Sequence, residues 1–249
     1  MVALLLSVAL FKVGPVDITL TVDGVERKAI VYKSSVTDKA SPVVFVWHGF
    51  TGNGRQAAFS YRVHDAWPEA TVVYPQGLDV ELLGRKAPGW QIAPKMQGDR
   101  DLKFYDALLG KMKSDYKADL KRIYTCGMSN GAIFSYLLVT ERGKTLAAAA
   151  PVAGFAAPAF KGVQPMPILI THGKADDLIR LQAAERSRDQ AIANNGAGKA
   201  EKEWAPGYVS FTPVKDGNEV IWRLHDGGHT WPAGTTEAIV KFFKAHSRS

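Results

Sequence analysis

The stretch Cys126-Gly127-Met128-Ser129-Asn130-Gly131-Ala132 sets a serine between two glycines, directly after the strand-prone run Arg122-Ile123-Tyr124-Thr125. G-x-S-x-G in that setting is the pattern of a tight strand-to-helix elbow, which lifts a nucleophilic hydroxyl above a sheet edge. Small residues are also common at ordinary strand-to-helix turns, so the assignment needs a base, an orienting acid and an oxyanion site elsewhere in the chain. A serine hydroxyl is a weak nucleophile at neutral pH and needs a neutral imidazole to take its proton. His229, in Gly227-Gly228-His229, fills that role. The imidazole in turn needs a buried carboxylate to fix its tautomer and stabilise it once protonated. Asp176, in His172-Gly173-Lys174-Ala175-Asp176, is the expected residue, with Asp177 its adjacent competitor. Charge developing on a carbonyl oxygen requires fixed donors, each worth roughly 2.7–4 kcal/mol where one has been removed from a serine hydrolase. The backbone N–H groups of Asn130 and Phe50 are assigned to this task, Phe50 following His48-Gly49 at the end of an apolar run.

Other residues compete for these roles. His225 lies four residues before His229, but Gly227-Gly228 intervene and free the backbone for close approach to a site, which favours His229. His48 is expected to pack or hydrogen-bond beneath the loop that it opens, and His172 to hold a strand-end turn. Asp99 and Asp101 read as helix N-terminal residues.

The elements that must position these groups alternate along the chain. Val16–Leu20 and Val25–Tyr32 flank Asp23-Gly24, a strong hairpin signal. Strands are then expected over Val43–Trp47, Thr71–Tyr74, Ile123–Thr125, Ala147–Val152, Ile168–Thr171 and Val220–Leu224. Helices are expected over Leu102–Tyr116, Asn130–Glu141, part of Leu178–Asn194 and Thr236–His246. An antiparallel hairpin followed by alternating β and α predicts an α/β fold, a mostly parallel sheet with helices on both faces. Function in such sheets gathers at the carboxyl ends of the strands. His48, Ser129, Asp176 and His229 all fall just past such ends, and Ser129, Asp176, His229 is the Ser…Asp…His order of α/β-hydrolases.

Five segments together resemble the polyhydroxybutyrate depolymerase and feruloyl esterase group (LpqC-like) of α/β-hydrolases: His48-Gly49-Phe50-Thr51-Gly52-Asn53-Gly54, Val73-Tyr74-Pro75-Gln76-Gly77, Gly127-Met128-Ser129-Asn130-Gly131-Ala132, His172-Gly173 with Asp176, and Gly227-Gly228-His229-Thr230-Trp231-Pro232. The similarity runs from about Asp17 to the C-terminus. It implies a lidless or lightly lidded serine esterase with no metal and no cofactor, and triad positions matching Ser129, Asp176 and His229. It also implies that an oxyanion donor follows the His-Gly pair, which supports Phe50, with Thr51 the alternative. The substrate it implies is a feruloyl, aryl or short-chain acyl ester, including esters of plant polysaccharides. A 3-hydroxyalkanoate oligomer is the second choice, and a non-catalytic polymer-binding relative the remote one. Secreted members often carry cysteine pairs, which this chain lacks, and no Ser/Thr/Gly/Pro-rich linker leads to a polymer-binding module.

Composition sets the remaining bounds. A chain of 249 residues, 46% hydrophobic and 22% charged, suits one globular catalytic domain over 16–249. Residues 1–15 read as an extension; the apolar Met1–Phe11 fits either the remnant of a secretory or periplasmic leader or an edge element, and has no positive n-region. The lone Cys126 excludes an intrachain disulfide and any cysteine metal cluster, and reads as a buried small hydrophobe. The net charge of +7 comes from scattered lysines and arginines, so nucleic acid is not an expected partner, and no segment is apolar and long enough for a membrane. Leu78–Arg100, rich in Gly and Pro, is long for a strand-to-helix connection and is expected to wall the substrate cleft. Trp90, Trp231 and Thr51 are the expected substrate contacts, the tryptophans as stacking surfaces.

Overall fold

A computed structural model describes residues 14–213 and 218–248, so the expectations for residues 1–11 lie outside the described residues. The chain opens with β1 (Val16–Val22) and β2 (Val25–Tyr32), joined by Asp23-Gly24 with φ of 47° and 76°. Two successive positive φ values are what a tight hairpin turn of matching twist requires. Then follow β3 (Ser41–Trp47), α1 (Gly54–Tyr61), α2 (Val63–Ala66), β4 (Thr71–Pro75), a second hairpin of β5 (Leu78–Leu82) and β6 (Arg85–Gly89), and α3 (Arg100–Asp115). The second half comprises β7 (Ala118–Met128), α4 (Asn130–Arg142), β8 (Ala148–Val152), β9 (Ile168–Gly173), α5 (Leu181–Asn195), β10 (Ala197–Ala205), β11 (Tyr208–Pro213), β12 (Val220–His225) and α6 (Thr235–Lys244).

Ten strands form one sheet in the order β1-β2-β4-β3-β7-β8-β9-β12-β11-β10. The six central strands, β4 to β12 in that order, are mutually parallel, and antiparallel pairs close both edges. Every residue of β3 is buried, as a strand covered on both faces demands. Its alternation divides the core. Val43, Phe45 and Trp47 join a cluster with α3, α4 and α5, while Val44 and Val46 join one with α1, α2 and α6. Cys126 lies fully buried in the second cluster, and burial pushes its thiol well above the usual range.

Several elements differ from expectation. Leu78–Arg100 is not an open loop: it begins with the β5–β6 hairpin, turned by Leu83-Gly84 at φ of 55° and 70°. A leucine is an unusual residue for that conformation, so the sequence carried only half of the turn signal. The hairpin β10–β11 is not among the expected elements, because the alanine, glycine, lysine and glutamate that make up most of β10 have little strand preference; its turn, Pro206-Gly207, is the readable signal. Helix α1 lies inside a glycine-flanked stretch and is started by Asn53, whose Oδ1 accepts from Gln56 N–H at 2.8 Å.

Asp101 sits in the first turn of α3 as expected, yet it is fully buried and bonded to Arg27 of β2 at 2.8 Å. Its second oxygen accepts from Gln91 N–H at 2.8 Å, and Gln91 Oε1 accepts from Asp101 N–H at 3.1 Å. Asp99 makes no capping bond to the helix; its Oδ1 instead takes Lys95 N–H at 2.7 Å and Gln91 Nε2 at 2.9 Å. This cluster ties the segment after β6 to the sheet. Removing one partner of such a pair strands a buried charge, at a cost of about 3–5 kcal/mol. Asp101→Ala is therefore expected to lose stability on that scale in urea denaturation, and Arg27→Met with Asp101→Leu to recover much of it; a single variant as stable as the wild type would contradict the account.

Candidate active site

β7 ends at Met128, and Ser129 turns the chain into α4 with φ 57° and ψ −121°. Non-glycine residues rarely occupy that region, and holding one there costs of order 1–3 kcal/mol. Crowding enforces it. A Cβ on Gly131 would sit 2.6 Å from His48 O and closer still to Trp47 O, and one on Gly127 would sit 2.7 Å from Trp47 O and from Gly131 O. The glycines beside Ser129 thus let β3, β7 and α4 meet backbone to backbone. Ser129 accepts the N–H groups of Ala132 and Ile133 on its carbonyl, at 2.9 and 3.0 Å. The Asn130 N–H, at the start of α4, has no intrahelical acceptor and lies at the positive end of the helix dipole.

The His48–Gly52 loop at the end of β3 is fixed from beneath. His48 Nε2 accepts from Gly77 N–H at 3.0 Å, so Nδ1 carries the proton and donates to Gly49 O at 2.7 Å. Burial lowers this imidazole from an ordinary 6.5 to about 4, which keeps it neutral. Trp90 Nε1 donates to His48 O at 2.9 Å, and Thr51 N–H donates to Pro88 O of β6 at 2.8 Å. The Thr51 amide is therefore occupied, whereas that of Phe50 has no protein acceptor among the described residues. Of the two residues after His48-Gly49, only Phe50 retains a donor to offer.

Trp90 requires a correction. It is fully buried, edge-on to Trp47 at 4.9 Å and stacked on Phe134 at 5.6 Å, and so touches no substrate. Its backbone is clamped by Asn130, whose Oδ1 accepts from Trp90 N–H at 2.7 Å and whose Nδ2 donates to Trp90 O at 3.0 Å. The Asn130 side chain thereby joins the elbow to the β5–β6 segment, a role that motif spacing did not reveal. Thr51 is exposed on the loop.

Asp176 follows β9, with its carboxylate fully buried. Oδ1 accepts from Leu178 and Ile179 N–H at 3.0 and 2.8 Å, and Oδ2 accepts from His229 Nδ1 at 2.8 Å. That bond puts the proton on Nδ1 and leaves the His229 Nε2 lone pair free to act as a base. Its competitor Asp177 is exposed. His225 uses Nδ1 to accept from Gly227 N–H at 3.1 Å, and burial followed by the Arg223 charge lowers its pKa. His172 donates from Nε2 to Ile179 O at 2.8 Å and braces the turn that wraps Asp176.

β12 is separated from β7 by β9 and β8, so the chain carrying His229 must cross the sheet edge to approach Ser129. It does so anchored at both ends. Arg223 donates to Tyr208 Oη at 2.9 Å, to Thr235 Oγ1 at 3.0 Å and to Ala233 O. At the far side Trp231 stacks on Tyr61 of α1 at 4.1 Å, and Thr236 Oγ1 donates to Tyr61 O at 2.6 Å. No hydrogen bond joins Ser129 Oγ to His229 among the described residues; such bonds commonly tighten only when substrate arrives. A small cleft of about 140 Å³ opens over the loop, lined by Phe50, Thr51, Gln56 and Tyr61 among others. Among the described residues no group of three or more His, Cys, Asp or Glu is placed to hold a metal, and no helix is long and apolar enough to cross a membrane.

A parallel sheet with helices on both faces, a strained serine at the elbow after β7, and an Asp–His pair on the loops after β9 and β12 define the α/β-hydrolase fold. No protein-family model matches the chain. Among curated proteins it is 30% identical over 167 residues to the bifunctional acetylxylan esterase/xylanase XynS20E of Neocallimastix patriciarum, covering 65% of this chain and 23% of that one. It is 23% identical over 234 residues to feruloyl esterase D of Neurospora crassa, covering 85% of this chain and 77% of that one. The chain thus spans less than a quarter of the first relative and about three-quarters of the second. Among solved structures, an acetyl xylan esterase from Aspergillus awamori superposes with a TM-score of 0.70 at 16% identity, over 92% of this chain and 99% of that one. A ferulic acid esterase superposes at 0.67 and 16% identity, over 93% of this chain and 98% of that one.

The neutral, doubly bonded His48 has a consequence for stability. Its folded pKa of about 4 lies below its ordinary 6.5. Between those values the unfolded chain binds the proton and the folded chain does not, so stability falls with falling pH, by up to about 1.4 kcal/mol per pH unit. His48→Gln keeps an acceptor for Gly77 N–H and removes this titration. Urea denaturation at pH 7 and pH 4.5 is expected to show the stability difference between wild type and His48→Gln shifting toward the variant at the lower pH; an equal difference at both would contradict it.

Proposed function

We propose that the chain is a serine carboxylic ester hydrolase of the polyhydroxybutyrate depolymerase and feruloyl esterase group, with residues 16–249 as its catalytic domain. The observation that carries the reading is the 2.8 Å bond from His229 Nδ1 to the buried Asp176, on the same sheet edge as a serine held at positive φ. Ser129 Oγ attacks the ester carbonyl carbon while His229 Nε2 takes its proton. The oxyanion of the tetrahedral intermediate accepts from Phe50 and Asn130 N–H. As that intermediate collapses, the bond from carbon to the alkoxide oxygen breaks and the imidazolium gives its proton to the departing alcohol. Water then attacks the acyl-Ser129 carbonyl, deprotonated by His229, and releases the acid and the free serine. Asp176 stays ionised throughout and supports the imidazolium.

A feruloyl, aryl or short-chain acyl ester is the substrate class that this reading favours, in keeping with the names of the relatives, an acetylxylan esterase and a feruloyl esterase. Neither the mechanism nor the residues assigned to it call for a metal or a cofactor. The test is kcat/KM of wild type, Ser129→Ala and Asp176→Asn on methyl ferulate, 4-nitrophenyl acetate and a 3-hydroxybutyrate oligomer. Ser129→Ala is expected to fold normally and to lose several orders of magnitude, and Asp176→Asn about 10⁴-fold, because the amide holds the wrong imidazole tautomer. Methyl ferulate preferred to the oligomer supports the favoured class; a folded wild type inert on all three esters overturns the reading.

A further inference from the structure

The chain leaving β8 touches the elbow and then enters a cleft of its own. Ser129 N–H donates to Val152 O at 3.0 Å, and the next residue, Ala153, is held at φ 49° with its N–H on Thr171 O at 2.8 Å. Gly154 packs so closely on the elbow that a Cβ there would lie 3.3 Å from Ser129 O. Phe155, directly after it, is the first wall of a cleft of about 360 Å³ that Pro158 and Ala183 of α5 also line. The cleft therefore begins one residue from the backbone that supports the serine. We propose that it is an acyl subsite for a chain ending in a second carboxylate, so that the site takes half-esters of dicarboxylic acids; the inference rests on the esterase reading above.

Its side of the sheet decides which half of the ester it serves. Ala156, in its wall, packs against the core cluster shared with α4 and α5, whereas Trp231, two residues past the base, packs against the cluster of α1 and α6. His229 must protonate the departing oxygen, so the alcohol leaves toward the base and the acyl chain extends away from it. The lining then selects among acyl groups. Ser187 Oγ is spent, since it donates to Ala183 O and accepts from Ala156 N–H, both at 2.8 Å. Gln190 Nε2 donates to Asn194 Oδ1 at 3.0 Å. What remains is apolar wall and two exposed cations, Lys161 and Arg186, neither of them ion-paired among the described residues. Arg188, two residues on in α5, does pair, with Asp189 at 2.8 Å. No Asp or Glu lines the cleft. An apolar stem with an anionic end satisfies wall and cations together, through charge-assisted bonds to the guanidinium and the ammonium. A neutral acyl chain gains from the wall alone. The volume lies within the roughly 300–1,000 Å³ of small-molecule clefts. Hydrolysis then releases the alcohol and the dicarboxylate through the steps given above.

The experiment measures kcat/KM on the monoethyl esters of succinic, adipic and suberic acids and on ethyl heptanoate, whose chain matches the adipate in length but ends in a methyl group. At the best-fitting diacid, the ratio of half-ester to heptanoate is expected to exceed one in the wild type. It is expected to fall about tenfold in Arg186→Met, and less in Arg186→Lys, which keeps the charge. Lys161→Met is expected to act in the same direction. Raising ionic strength from about 0.01 M to about 1 M is expected to lower the wild-type ratio and to move that of Arg186→Met less, because salt screens exposed charges. A ratio unchanged in both methionine variants, or a wild type that prefers the neutral ester at every chain length, overturns the subsite. A wild type inert on every ester overturns the esterase reading instead, and calorimetric titration with hexanoate then judges the cleft. Binding weakened in Arg186→Met supports an anion site there; equal binding, or none, overturns it.

Discussion

Where β3, β7 and α4 converge, the carbonyl oxygens of Trp47 and His48 stand so close to the Cα of Gly131 that no side chain fits between them. The geometry of the sheet edge follows from that contact. Because α4 starts against the end of β3, the turn from β7 has no room to relax, and Ser129 is held at a φ that its side chain disfavours. The same closeness sets the loop after β3 against the elbow: a Cβ on Gly49 would lie 3.5 Å from that of Ser129. Packing on both sides of the sheet makes the strain bearable. Almost all of α4 from Asn130 to Val139 is buried, and a helix so enclosed cannot shift to release one residue.

Around this contact, hydrogen bonds decide which polar groups remain available. His48 is saturated by Gly77 and Gly49, the Thr51 amide by Pro88, and the Asn130 side chain by both backbone groups of Trp90. What stays unsatisfied is the amide of Phe50 and the first amide of α4. An oxyanion site needs donors that are already oriented and have nothing else to do, since reorganising them during reaction costs free energy. In the proposed mechanism the β5–β6 hairpin would serve that end. Pro88 O of β6 and the buried indole of Trp90, directly after that strand, hold the loop in place from below.

The sequence made legible what local chemistry determines. Alternating apolar runs revealed the parallel strands, Asp23-Gly24 the first hairpin, and glycine spacing the elbow. The motif order placed Ser129, Asp176 and His229 on one edge because a parallel sheet with crossovers puts its strand ends there. Less legible was anything set by tertiary contact. Trp90 reads as a cleft aromatic because the segment around it is polar and glycine-rich; only the fold shows the indole packed against the Trp47–Phe134 pair. Asp101 reads as a helix-start carboxylate, and nothing near it in sequence announces Arg27 across 74 residues. The motif favoured Phe50 without excluding Thr51, and the partner that separates them, Pro88 O, lies in a hairpin turned by Leu-Gly rather than by a recognisable pair. Helix α1 was hidden by its glycine neighbours, although Asn53 three residues before Gln56 is a serviceable cap.

The segment that carries His229 is tied down at one end by Arg223 and at the other by the Tyr61–Trp231 stack. It behaves as a strap rather than a loop, and the imidazole rides on it. Two anchors bracket the base: the Tyr61–Trp231 stack lies two residues past His229, and the Arg223 bonds lie before it. Contacts made far from the carbonyl can then be expressed as turnover and not only as affinity, which is how remote binding energy is converted into rate. In the proposed mechanism, the piece of chain that would move the proton is thus held by contacts well away from the reacting carbonyl.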